Sequence, residues 1–192
     1  MPDRVRGEIP FDERERFVLL QRARNAVERA LRGERAPVGA GAGVLREPRG
    51  VFVTWRRRSD GSLRGCIGLV EAREPLEDGV AQMAVAAALA DPRFVPVTMQ
   101  ELPSLRLEIS VLSAFAPIRA DDVEVGRHGL MIRRGARRGL LLPQVPVEEG
   151  WEREAFLDGV CRKAALPRGA WREAGGAELY GFTATVLLEE SA

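Results

Sequence analysis

In the segment LPSLRLEISVLSAF, Leu107, Ile109 and Val111 alternate with Arg106, Glu108 and Ser110. A strand sends successive side chains to opposite faces, so this run predicts a strand with one face in a core and the other polar. Two further segments read as antiparallel hairpins. VFVTWRRRSDGSLRGCIGLV sets Asp60 and Gly61 between two β-favouring runs, and HGLMIRRGARRGLLLPQV sets Gly135 and Ala136 as a two-residue turn between arginine pairs. Helical patterns lie around them. FDERERFVLLQRARNAVERALRG carries Asp12 as a cap with Glu15 three residues on, an apolar stripe of Phe17, Leu20, Val27 and Leu31, and Gly33 as a stop. A second helix has Pro75 in its first turn and ends at Asp91 and Pro92, and a third runs through EEGWEREAFLDGVCRKAAL to Pro167. ELYGFTATVLLEE reads as one closing strand. Hairpins between helices, without repeated strand–helix–strand units, predict an α+β fold with a mainly antiparallel sheet.

At 192 residues with 45% apolar content, the chain is long enough for one domain with a true core. Its 29 basic and 28 acidic residues nearly cancel, so any attraction to nucleic acid or anionic membrane must be local. No apolar run approaches the roughly 20 residues that span a bilayer. The start, MPDRVRGEIPFDERER, is too charged for a secretion signal, and the expected location is cytoplasmic. In that compartment Cys66 and Cys161 are expected as reduced thiols. A zinc site from Cys66, Cys161 and His128 lacks ligand spacing, so no metal ligand and no cofactor is assigned.

The motif with the most chemistry is LRGCIG, residues 63 to 68. On a regular strand Arg64 and Cys66 share a face, and a guanidinium beside a thiol favours the reactive thiolate. Gly65 and Gly68 then clear space for a ligand or for another backbone. The other reading makes Cys66 a small hydrophobe and the glycines the mark of a bulge. His128, the only histidine, is the one side chain that titrates near neutral pH without a shifted pKa. Cys66 and His128 are the catalytic candidates; Arg64, Gly65, Gly68 and Glu108 are the ligand-binding candidates. The arginines at 56–58 and 133–138 fall at hairpin tips, where they either grip phosphates or act as solvated turns that guard against sheet aggregation.

FVTW (52–55), LRGCIG (63–68), ALADPRF (88–94), ELP (101–103), EISVLS (108–113), VGRHGL (125–130) and LLPQV (141–145), in this order, resemble the AMMECR family, also called AmmeMemoRadiSam system protein A. The resemblance implies one AMMECR-type domain over residues 1–192 with a curved, barrel-like antiparallel sheet and flanking helices. It implies two lobes, about 50–120 as one and 1–49 with 121–192 as the other, and a cleft near LRGCIG. It also implies a Memo-like protein and a radical SAM protein as partners, in binding a small ligand or modifying a protein. A non-catalytic adaptor and a nucleotide or RNA binder are the alternatives.

Overall fold

The computed structural model describes residues 9–71, 74–173 and 176–190. They form two compact units: Pro10–Leu112 with the segment from Thr185 onward, and Ser113–Ala184 with Ile9. Residues 10–49 belong to the same unit as the first hairpin, where the lobes implied by resemblance put them with 121–192.

In the first unit, helix α1 (Glu13–Leu31) begins at the expected capping box, with the Asp12 side chain accepting from the Glu15 N–H and the Glu15 side chain accepting from the Asp12 N–H. Its buried stripe is Leu19, Ala23, Ala26 and Val27, at positions 0, 4, 7 and 8 of one face. Only Val27 of the expected stripe is fully buried, and Phe17 is exposed. The reason is the partner: α1 lies on α2 (Leu76–Leu89), whose buried face is itself rich in alanine, and small side chains allow the close approach. Strands β1 (Val51–Arg57) and β2 (Leu63–Leu69) form the expected hairpin, with Gly61 at φ +71 in its turn. They carry one face against α2, and β3 (Leu105–Leu112) pairs with β1 to extend the sheet. Val51, Val53, Trp55, Leu107, Ile109 and Val111 are all fully buried, and the Trp55 indole N–H donates to the Ala84 carbonyl at 3.1 Å. The glycine-rich loop after α1 is anchored: the Gly39 and Gly41 N–H groups donate to Asp78 and Glu77 in the first turn of α2.

The second unit holds β4 (Ala116–Pro117), β5 (Gly129–Arg134), β6 (Arg137–Leu141), the short helix α3 (Gln144–Glu148), α4 (Arg153–Lys163) and β7 (Glu178–Phe182). Helix α4 packs on β5 and β6 through Phe156, Leu157, Val160 and Cys161 against Leu130 and Ile132. β6 passes so near the end of α4 that a Cβ on Gly139 would lie 2.4 Å from the Ala164 nitrogen.

The expected α+β, mainly antiparallel fold is what forms. With β8 (Ala184–Leu188) as the last strand, its strands are divided between two four-stranded sheets, in the orders β2-β1-β3-β8 and β4-β7-β5-β6, and neither closes into a barrel. The expected closing strand is two strands, β7 and β8, one in each sheet. The break falls at Thr183, whose N–H donates to the Ser113 hydroxyl and whose carbonyl accepts from the Ser113 N–H, both at 2.9 Å.

Candidate functional site

On the face of the first sheet opposite α2, Thr54 of β1 stands directly between Cys66 of β2 and Glu108 of β3. Directly paired residues share a face, so thiol, hydroxyl and carboxylate form one row across three strands. The Thr54 hydroxyl donates to the Cys66 sulfur at 3.2 Å. Thr54 is buried, Cys66 half-buried, and the Glu108 side chain 13% exposed with Arg56 Nε 3.6 Å from its carboxylate.

β2 is the edge of this sheet, and an open edge leaves backbone groups without partners. At Cys66 the segment after α2 supplies them. Asp91 accepts from the Cys66 N–H at 2.8 Å, and Arg93 Nη2 donates to the Cys66 carbonyl at 3.2 Å. Arg93 also forks onto Asp91, Nε to Oδ1 at 3.0 Å and Nη2 to Oδ2 at 2.7 Å. These bonds from Arg93, opposed by burial and helped by the Cys66 N–H, hold the Asp91 carboxyl far below the usual carboxylate range. The Asp91–Arg93 pair thus clasps the backbone that carries the thiol. With its side chain 54% exposed, Arg93 presents a guanidinium beside Cys66.

Arg64 does something else. The pairing of β1 with β2 shifts between Trp55, opposite Gly65, and Arg56, opposite Leu63, so Arg64 is the extra residue of a bulge and strict alternation fails there. Its side chain is buried and forks onto Glu101, Nε to Oε1 at 2.6 Å and Nη2 to Oε2 at 2.9 Å. The Arg64 and Arg93 guanidinium carbons lie 5.9 and 5.5 Å from the centre of the Phe94 ring. The guanidinium expected beside the thiol is therefore that of Arg93, and Arg64 ties β2 to Glu101.

Both glycines of the motif make room for protein atoms, and neither has a positive φ. A Cβ on Gly65 would fall 2.0 Å from the Ala87 carbonyl oxygen of α2; one on Gly68 would fall 2.1 Å from the Phe52 ring. His128 belongs to the other unit. It is buried, and its Nδ1 accepts from the Glu124 N–H at 3.1 Å while its backbone N–H donates to the Glu124 carbonyl, which fixes the turn before β5. Cys161 also lies in that unit, and Cys66 belongs to the first. Among the described residues no group of three or more His, Cys, Asp or Glu is arranged to hold a metal ion, and no helix is long and apolar enough to cross a membrane.

A family model described as AMMECR1 matches residues 20–187. The chain belongs to the AMMECR1 family. It is 46% identical over 154 residues to Protein MK0488 of Methanopyrus kandleri, covering 76% of this chain and 74% of the relative. It is 43% identical over 189 residues to a protein of Thermofilum pendens, covering 90% and 88%. Among solved structures it is similar to the one titled Uncharacterized Protein PH0010 from Pyrococcus horikoshii, with a TM-score of 0.83 and 39% identity over 92% of this chain and 91% of that one.

In this AMMECR1 chain three of the sequence blocks meet at one place: LRGCIG supplies Arg64 and Cys66, ALADPRF supplies Asp91, Arg93 and Phe94, and ELP supplies Glu101. Sequence reasoning missed Thr54, Asp91, Arg93 and Glu101. The available signal was Asp-Pro-Arg directly after a helix end, an arrangement in which the aspartate can turn back on its own backbone. The hairpin arginines all have protein partners. Arg58 reaches Glu189, Arg133 reaches Glu178, Arg134 reaches Glu173 and the Gly176 carbonyl, Arg137 reaches the Ala165 carbonyl, and Arg138 is also engaged. Replacing exposed Arg137 by serine is expected to change unfolding free energy in urea by at most about 0.5 kcal/mol. Arg134→Ser, which loses bonds to a carbonyl and a carboxylate, is expected to cost about 1 to 2 kcal/mol.

Proposed function

We propose that this AMMECR1-family protein uses the row of Cys66, Thr54 and Glu108 to bind a small ligand or to take part in modifying a protein, together with a Memo-like protein and a radical SAM protein. The observation that carries the reading is the half-exposed thiol, held by the Thr54 hydroxyl on a strand whose backbone is clasped at both its N–H and its carbonyl. Such a sulfur is presented from a fixed position, which is what nucleophilic or ligand-orienting chemistry requires. In this reading Cys66 is the nucleophile or donor, Glu108 accepts a proton, and Arg93 orients an anionic group. Arg64, Gly65 and Gly68 keep the strand in place. The partners rest on the family resemblance, and co-purification with tagged Memo-like and radical SAM proteins of the same organism tests them.

Thiol reactivity separates this reading from a non-catalytic adaptor. Cys161 is fully buried, and burial pushes its thiol up. With iodoacetamide near neutral pH, followed by mass spectrometry of the folded protein, Cys66 is expected to alkylate faster than Cys161. Equal or slower labelling of Cys66 would remove the thiol from the mechanism and leave the docking role.

A further inference from the structure

The second unit carries a hollow that the Cys66 site does not use. Its floor is one face of α4, because Ala155, Asp158, Gly159 and Arg162 recur at intervals of 3, 4 and 7 from the first. Trp151, just before the helix, forms one wall. Its indole is seated where Gly159 has no side chain: a Cβ there would lie 2.6 Å from the ring. The turn after the helix, with Ala165 at φ +53, brings Leu166 and Arg168 round as the other wall. The hollow has a volume of about 490 Å³, within the range of small-molecule sites.

Its charges are unevenly satisfied. Asp158 accepts from Arg168 Nε at 2.7 Å, from the Gly169 N–H at 3.0 Å and from the Trp171 indole N–H at 3.0 Å. Burial works against its charge, and these donors overcome that and hold the carboxyl below its ordinary value. The carboxylate is thus fully engaged and its charge answered by Arg168. Arg162 is different. Its guanidinium lies 5.4 Å from the centre of the Trp151 ring and has no carboxylate or carbonyl partner among the described residues. A solvated basic residue in the last turn of a helix is ordinary, and Lys163 beside it is one. A guanidinium stacked on an indole at the rim of a hollow is restrained, and its planar fork loses little further freedom when it meets an oxyanion.

We propose that this hollow binds a small organic anion, a carboxylate or phosphate monoester on a flat apolar body. Arg162 takes the oxyanion, and the body lies against Trp151, Ala155 and Leu166. The two guanidiniums against one engaged carboxylate disfavour a cationic ligand, and a single carboxylate whose charge is already answered by Arg168 is a poor metal site.

The test is titration of the full-length protein with phenyl phosphate, benzoate, inorganic phosphate and benzylamine, read from the three tryptophan indole N–H resonances assigned by Trp→Phe variants. Phenyl phosphate or benzoate is expected to shift the Trp151 signal saturably, with a Kd near or below about 1 mM, and to leave Trp55 unmoved. Arg162→Met, an exposed position whose loss leaves the core intact, is expected to weaken binding about tenfold or more, the usual worth of a charge-assisted bond. Absence of a saturable shift up to about 10 mM overturns the proposal, as does unchanged affinity in Arg162→Met or equal binding of benzylamine. Inorganic phosphate binding as tightly as phenyl phosphate overturns the assignment of an organic body.

Discussion

Gly65→Ala is expected to destabilise the protein by about 2 to 3 kcal/mol, the upper part of the range for forcing an extra methyl group into a packed interior. The new Cβ would stand 2.0 Å from the Ala87 carbonyl oxygen, and that atom is helix backbone, which cannot rotate aside. Edge strand and helix must separate. The Asp91–Arg93 clasp follows directly from the end of that helix, so the same shift should loosen the backbone of Cys66. Two measurements check this: urea unfolding for the stability, and hydrogen exchange of the Cys66 amide, which should lose protection beyond the global change. Gly68→Ala is the control. Its Cβ meets the Phe52 ring, a side chain with rotamers to try, so the cost should be smaller. If both variants unfold within about 0.5 kcal/mol of the parent, close backbone approach is not why Gly65 is there.

What the sequence made legible follows from the range of the signals. The capping box at Asp12 and Glu15, the turn at Gly61 and the turn at Gly135 depend on residues within a few positions of each other, and all three form. The alternation in β3 likewise depends only on the pleat. Where a distant partner decides, sequence reading fails. The break at Thr183 is set by Ser113, 70 positions earlier, and ELYGFTATVLLEE contains no proline or turn to announce it. Large apolar residues predict the wrong stripe for α1, because the neighbouring alanine-rich α2 favours Ala23 and Ala26 at the contact.

The candidate site shows the same limit more sharply. Period-two reasoning correctly placed Glu108 on the face of β3 away from the core, and the register then brings it into line with Cys66 through Thr54. It misplaced Arg64, since one bulge residue undoes the alternation. Nothing local to LRGCIG could have exchanged Arg64 for Arg93, which comes from 27 positions beyond Cys66. His128 is the only histidine, yet its Nδ1 has a local structural task that the nearby Gly126 and Gly129 do not reveal.

Glu101→Gln is the second change with a large expected effect. Arg64 is 3% exposed, and its Nη1 has no hydrogen-bond partner among the described residues, so Glu101 is what compensates the buried cation. Removing one member of a fully buried pair costs about 3 to 5 kcal/mol; the Glu101 side chain is 27% exposed, so solvent screening brings the expected cost below that range, to about 2 to 3 kcal/mol. An asymmetry should accompany it. Arg64→Met leaves only a carboxylate that already reaches water, and the double variant leaves no charge at all, so both should be more stable than Glu101→Gln alone. The pH dependence has a fixed sign. Hydrogen bonds from Arg64, opposed by burial and aided by the charges of Arg64 and Arg57, hold the Glu101 carboxyl below its ordinary value. A carboxyl depressed in the folded state contributes stability that is fully present above its unfolded pKa of about 4.3 and is lost as pH falls through the lower, folded value. Urea titrations at successive pH values should therefore show the parent and Glu101→Gln converging under acid and diverging toward neutrality. A constant gap across that range would mean that the pair does not hold β2 through its charge, and that Arg64 stays buried for the contact of its guanidinium with the Phe94 ring.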